Sequence, residues 1–157
     1  MFGTKLDGAD LRQVVYDKKT HFPNEIKPEK RGAYLIAPGV SLPVVQLPGA
    51  ILWGVDLQGA NLQGANLADA SFSGALLKDV NFQGSNLESA RFRIANLEGA
   101  NLTDANIKDA YFWGAEGLTV EQVKTATNWE DAYYSPLFCA ELGIRYRERP
   151  RSSSLLN

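Results

Sequence analysis

The chain has 157 residues and a mass of 17.2 kDa, with 45% hydrophobic and 22% charged residues, the make-up of one folded domain, which excludes disorder throughout. A formal charge of -2 and a pI near 5.4 lack the basic surface that direct nucleic-acid binding demands. One His, one Cys and one Met exclude an intramolecular disulfide and a Cys/His zinc site, so neither metal nor cofactor is expected.

The start, Met1 to Asp7, has no apolar run of signal-peptide length, and no stretch of about 18 apolar residues follows. No membrane association is expected, and the expected location is the cytoplasm. Within residues 1–16, Leu6, Leu11 and Tyr16 stand five apart, with Thr4, Ala9 and Val14 two positions before them. They read as most of a first coil of a repeat, displaced by one residue from the phase that follows. Residues 17–39 interrupt it with Pro23, Pro28 and Pro38 and a mild basic excess that includes Lys18, Lys19 and Arg31. They read as an insertion, a solvated loop lying along one face.

Residues 40–114 carry the dominant signal. A large apolar residue recurs at every fifth position without omission, from Leu42, Leu47, Leu52 and Leu57 through Phe72, Phe82 and Phe92 to Phe112. Two positions before each sits a smaller residue, among them Val40, Ala70, Ala90 and Ala110. A period of five fits neither an α-helix nor a long alternating strand. Within a unit the small and large residues are two apart, so both face one side of a short extended segment. The remaining three residues must turn the chain, and Gly59, Gly64, Asp69, Gly74 and Asp79 are residues that turn cheaply. The chain therefore coils around its own apolar axis, and the period alone admits three, four or five sides.

Residues 115–143 read as a helical cap over the open end, which would otherwise expose unpaired backbone and apolar columns. Thr119-Val120-Glu121-Gln122 has the pattern of a capping box, with a short helix to about Ala126 that presents Val120, Val123 and Ala126 on one side. Ser135-Pro136 starts a second helix that Gly143 ends. Leu118, Trp129, Leu137, Phe138 and Leu142 are the expected plug. Residues 144–157, rich in Arg and Ser, read as a disordered tail.

Runs such as Ala60-Asn61-Leu62-Gln63-Gly64 and Ala100-Asn101-Leu102-Thr103-Asp104 resemble the pentapeptide-repeat family. The resemblance implies an all-β fold, a right-handed quadrilateral β-helix with twenty residues per coil. Reading every twentieth residue supports four sides: three of the four in-register Phe (72, 92 and 112) share a column with Leu52, and Asn61/Asn81/Asn101 and Asn66/Asn86/Asn106 align as amide ladders. The flanks, around Tyr16 to Pro23 and Leu118 to Val123, resemble segments bordering the repeats of cyanobacterial members, most of which have no assigned activity.

Chemistry is sparse. His21 has no second His and no nucleophile beside it, and Cys139 on a short apolar helix reads as a small buried hydrophobe. Asp69 and Asp109 share a column but stand two coils apart, roughly 10 Å, too far for an acid-base pair. The chain is expected not to be an enzyme. The column of Phe72, Phe92 and Phe112 carries Trp53, Arg91, Arg93, Tyr111 and Trp113 on its outward positions, the residue types that interface hot spots favour. A rigid scaffold presenting that face to a protein partner is the expected function, against the equal possibility that the insertion and the cap cover Trp53 and Trp113. The resemblance offers an alternative, because some members mimic DNA and bind a type II topoisomerase such as gyrase. The repeat block has seven acidic residues against four basic ones, weak beside a duplex with one charge per ~1.7 Å, and columns such as Glu88/Lys108 and Lys78/Glu98 pair opposite signs.

Overall fold

The computed structural model describes residues 8–148. The unit read at Thr4 and Leu6, and the tail from 149 onward, lie outside the described residues.

From Ser41 onward the residue between the small and the large position forms a parallel bridge with the residue twenty further on: Ser41 with Asn61, Gln46 with Asn66, Ile51 with Ser71, Asp56 with Leu76. Twenty residues per coil and five per unit make four sides. Each bridge carries a bond in both directions, as where Leu62 N–H donates to Asn81 O (2.8 Å) and Asn81 N–H to Ala60 O (2.9 Å). A further bond closes most corners, Ala65 N–H to Leu62 O at 3.1 Å being typical.

The corner requires a left-handed residue at its third position. Gly64 (φ 64°) suits it, and Asp69 (φ 59°) tolerates it, but Val44 (φ 53°) and Ile94 (φ 52°) are β-branched. Ile94 is 55% exposed, so little packing offsets its backbone cost. Ile94→Gly is therefore expected to stabilise the protein by about 0.5–1 kcal/mol. Urea denaturation checks it, and a loss of stability would show that the Ile94 side chain matters more than its backbone.

The Asn ladders hold coil to coil and corner to strand together. Asn81 Nδ2 donates to Asn61 Oδ1 (3.3 Å) and Asn101 Nδ2 to Asn81 Oδ1 (3.1 Å). The same oxygens accept the N–H two residues on, as with Gln63 (3.1 Å) and Gln83 (3.1 Å). The first coil has Ser41 and Gln46 in place of Asn, and there the residues two on are Pro43 and Pro48, which have no N–H to satisfy. Inside, Phe72 and Phe92 stack at 5.2 Å, Phe92 and Phe112 at 5.0 Å, and Phe82 meets Phe72 and Phe92 edge-on.

Both ends depart from the plain reading. Strand β1 (Val15–Tyr16) pairs in parallel with β2 (Tyr34–Leu35), Val15 opposite Tyr34, an offset of nineteen. Because a slip of one residue exchanges the faces of a strand, Val15 packs on the main core and Val14, read as the inward small residue, is exposed. The insertion is not merely a solvated loop: Ile26 and Ala33 form a second small core with Leu11, and Ile36 joins the main one.

At the other end, helix α1 (Val120–Lys124) has the capping box, Thr119 N–H donating to Gln122 Oε1 (2.8 Å) and Gln122 N–H to Thr119 Oγ1 (3.2 Å). Gln122 Nε2 also donates to Leu97 O and Ala100 O, carbonyls of the last regular coil. The solenoid then resumes, since Thr127 bridges Asn106 and Tyr133 bridges Tyr111, at offsets of 21 and 22 that hide the continuation from a strict period. Helix α2 (Pro136–Leu142) is capped by Ser135 and ended by left-handed Gly143. Cys139 and Leu142 are buried, but Leu137 is 80% exposed, contrary to its expected place in the plug. Two residues, or about 200° of helix, separate it from Cys139, so it points away. Leu142 joins the main core and Leu118, Trp129 and Phe138 pack against it, as expected of the plug, together with Tyr134, stacked on Phe112 at 5.6 Å.

Candidate interaction face

Units 50–54, 70–74, 90–94 and 110–114 stack as the third side of the solenoid, tied by the bridges Ile51–Ser71–Arg91–Tyr111. Leu52, Phe72, Phe92 and Phe112 point inward and are buried, as are the small residues Ala70, Ala90 and Ala110. Alternation then forces the neighbours of each large residue outward. Ile51 (68% exposed), Trp53 (66%), Arg91, Arg93 and Trp113 (39%) lie in solvent, and Tyr111 is half-buried. Successive coils are about 4.8 Å apart, so roughly 14 Å separates Trp53 from Trp113 with the two Arg between them.

The indole of Trp53 leans along the axis and donates from Nε1 to Ser71 Oγ, which lies 3.4 Å from Ser73 Oγ. At the far end, Trp113 meets the ring of Tyr146 edge-on at 6.3 Å. Arg147 stacks over Tyr133 (4.7 Å) and donates to Asp131 O and Asp109 Oδ1. Trp113 is thus partly covered by the segment after α2, while Trp53 stands at the rim of a cleft facing residues 15–20. Arg147 falls in the stretch read as a disordered tail, yet two carboxylates and a ring hold it.

Charge separates this side from the other three. All seven acidic residues of the repeat block, Asp56, Asp69, Asp79, Glu88, Glu98, Asp104 and Asp109, lie on the other sides, and none on this one. Both Arg of the block lie here, and neither enters an ion pair among the described residues. Of the two opposite-charge columns, Lys78–Glu98 closes at 2.8 Å, whereas Glu88 instead accepts from Asn106 Nδ2 and makes no ion pair with Lys108.

No reactive constellation assembles elsewhere among the described residues. His21 is exposed, and no three His, Cys, Asp or Glu come together in a metal-binding group. Burial pushes the Cys139 thiol and the Tyr134 hydroxyl above their ordinary pKa ranges, and Tyr134 Oη donates to Trp129 O at 2.9 Å. Both groups are packing elements. Among the described residues no helix is long and apolar enough to cross a membrane. The residues that sequence reasoning missed are Tyr133, Tyr134, Tyr146 and Arg147. The signal that could have found the first two is the aromatic pair 22 residues after Tyr111-Phe112.

The family model for pentapeptide repeats, in eight copies, matches residues 45–79, 56–93 and 75–114. A pentapeptide repeat protein of the Arabidopsis thaliana thylakoid lumen is 23% identical over 70% of each chain with a TM-score of 0.53, a likeness of fold. HetL, a pentapeptide repeat protein involved in heterocyst differentiation regulation in the cyanobacterium Nostoc, is 27% identical over 50% of this chain and 39% of its own, with a TM-score of 0.21. The plasmid-mediated fluoroquinolone resistance protein QnrB1 is 17% identical over 62% and 52%, with a TM-score of 0.33. No curated protein sequence matches. Proteins with this repeat fold as right-handed quadrilateral β-helices.

Proposed function

Because this chain belongs to the pentapeptide-repeat family, we propose that it is a non-catalytic protein-interaction scaffold, a right-handed quadrilateral β-helix that presents its third side to a protein partner. The observation that carries the reading is the segregation of charge: an Arg pair and exposed aromatic rings on a side without carboxylates, on a molecule whose other sides hold every acid of the repeat block. Arg and aromatic side chains dominate binding energy where a rigid surface holds them ready, because little conformational freedom is lost on association. The ladder bonds and stacked core beneath them supply that rigidity.

A gyrase-binding DNA mimic would need acidic charge gathered along one rod. Here the acids are spread over three sides and Glu98 is neutralised by Lys78, which favours the scaffold reading.

Affinity capture from the native host tests it. Arg91→Glu with Arg93→Glu is expected to weaken retention of the specific partner by more than about tenfold. The melting temperature should move by no more than a few degrees, because both side chains are exposed. A partner retained equally by wild type and double variant would remove this face from the proposal.

A further inference from the structure

On the fourth side each coil is joined to the next by a two-way rung: Leu57 N–H donates to Leu76 O (2.9 Å) and Leu76 N–H to Val55 O (2.9 Å). One coil earlier the rung opens. Tyr34 and Ile36 donate their N–H groups to Val14 O (2.8 Å) and Tyr16 O (2.7 Å), so alternation aims the backbone of Leu35 and Ala37 the other way, toward Asp56. By the pattern of the later coils, Ala37 N–H should donate to Asp56 O and Asp56 N–H to Leu35 O. Neither bond forms, although Ala37 is buried and the adjoining corner is closed by Gly39 N–H to Gln58 O at 2.8 Å.

Where the rung opens there is a cleft of about 640 Å³. Val15, Ile36, Val55 and Trp53 give it an apolar lining, and Lys18 and Lys19 stand on its rim. Its carboxylates are already occupied: Asp17 accepts from Thr20 Oγ1 (2.6 Å) and Lys19 N–H (3.1 Å), and Asp56 from the backbone and side chain of Gln58. The two ammonium groups enter no ion pair among the described residues. An unpaired rung asks for extended backbone, the lining for an apolar side chain, and the ammonium groups on the rim for carboxylates.

We propose that this cleft anchors an extended acidic peptide segment of the partner protein, whose backbone completes the rung at Ala37 and Asp56 and whose carboxylates meet Lys18 and Lys19. From there the segment turns onto the third side and passes over Trp53 toward Arg91 and Arg93, which lie about two coil spacings beyond Trp53. A nucleic-acid strand fits less well, because it has no amide backbone to complete the open rung and no apolar side chain for the lining. The inference rests on the scaffold reading, and it adds the site and the chemistry of what is bound.

The test uses the full chain and a fluorescein-labelled eight-residue peptide of alternating glutamate and valine. Saturable binding by anisotropy is expected, with loss of more than about tenfold in affinity on Lys18→Glu with Lys19→Glu and on replacing the peptide's glutamates by lysine. Amide hydrogen exchange at Ala37 should slow by at least about tenfold when the peptide is present, a readout that charge attraction alone does not move. The proposal is overturned by the absence of saturable binding up to about 1 mM peptide, by Ala37 exchange that the peptide leaves unchanged, or by tighter binding of glutarate or an oligothymidylate strand. Loss of peptide binding in wild type, with captured partner still lost in Arg91→Glu/Arg93→Glu, removes the cleft and leaves the scaffold reading standing.

Discussion

Phe92→Ala is expected to lower the stability of the protein by about 3–5 kcal/mol, the largest effect of any single truncation in the repeat block. Phe92 is fully buried, lies between Phe72 and Phe112 with rings nearly parallel, and takes Phe82 edge-on at 6.1 Å. The cavity left behind has little means of collapse, because each coil is pinned to its neighbours by two-way backbone rungs. Phe92→Leu, which refills most of the volume, should cost less than about 1.5 kcal/mol. Urea denaturation followed by circular dichroism measures both. A loss below about 1 kcal/mol for the Ala variant would mean that the column repacks, and that the stacked Phe are not what fixes the coil spacing.

Tyr134→Ala is expected to cost nearly as much, about 3–4 kcal/mol, and to make the protein self-associate. Tyr134 is 2% exposed, continues the Phe72/Phe92/Phe112 stack and ties its hydroxyl to Trp129 O. Without it, the last ring of the column faces solvent at an end that also presents strand edges. Tyr134→Phe separates the two contributions, keeping the stack and losing one hydrogen bond worth about 0.5–1.5 kcal/mol. Light scattering during thermal unfolding reads the self-association. An Ala variant that melts within a few degrees of wild type and stays monomeric would show that α1 and α2 close the end without this ring.

The repeat block was legible because everything in it is local. Five residues decide which two side chains face the axis, and a constant coil of twenty then places Asn61 under Asn81 and Phe72 under Phe92 without knowledge of any distant contact. The same reasoning located Ser135 and Gly143 at the ends of α2, and Thr119 and Gln122 as a mutual cap, since capping is an exchange between near neighbours. It failed where the length of a coil changes. Val14 and Val15 exchange faces because β1 meets β2 at an offset of nineteen, and Tyr133 rejoins the third side after 22 residues. Leu137 was misplaced for a related reason: apolar character marks a helix residue for burial, but the direction of α2 against the solenoid chooses which apolar residues go in.

The candidate face divides in the same way. Alternation put Trp53, Arg91, Arg93, Tyr111 and Trp113 on one outward side, and a count of twenty shows that no carboxylate shares it. What covers that side is another matter. From the sequence, an external interface and cover by the insertion and the cap are equal possibilities for Trp53 and Trp113, and the structure has Tyr146 and Arg147 crossing one end while Trp53 borders the cleft at the other.

By itself, then, the sequence determined the coil and which residues face its axis, because these follow from a five-residue period that repeats unchanged, while the four columns and the polarity of the sides follow from the twenty-residue alignment that the family resemblance implies. Only the tertiary structure decided how the ends are closed and where the backbone ladder opens between Ala37 and Asp56. Those features depend on how irregular segments of 19, 21 and 22 residues fit onto a regular stack, a balance of packing that no local period encodes.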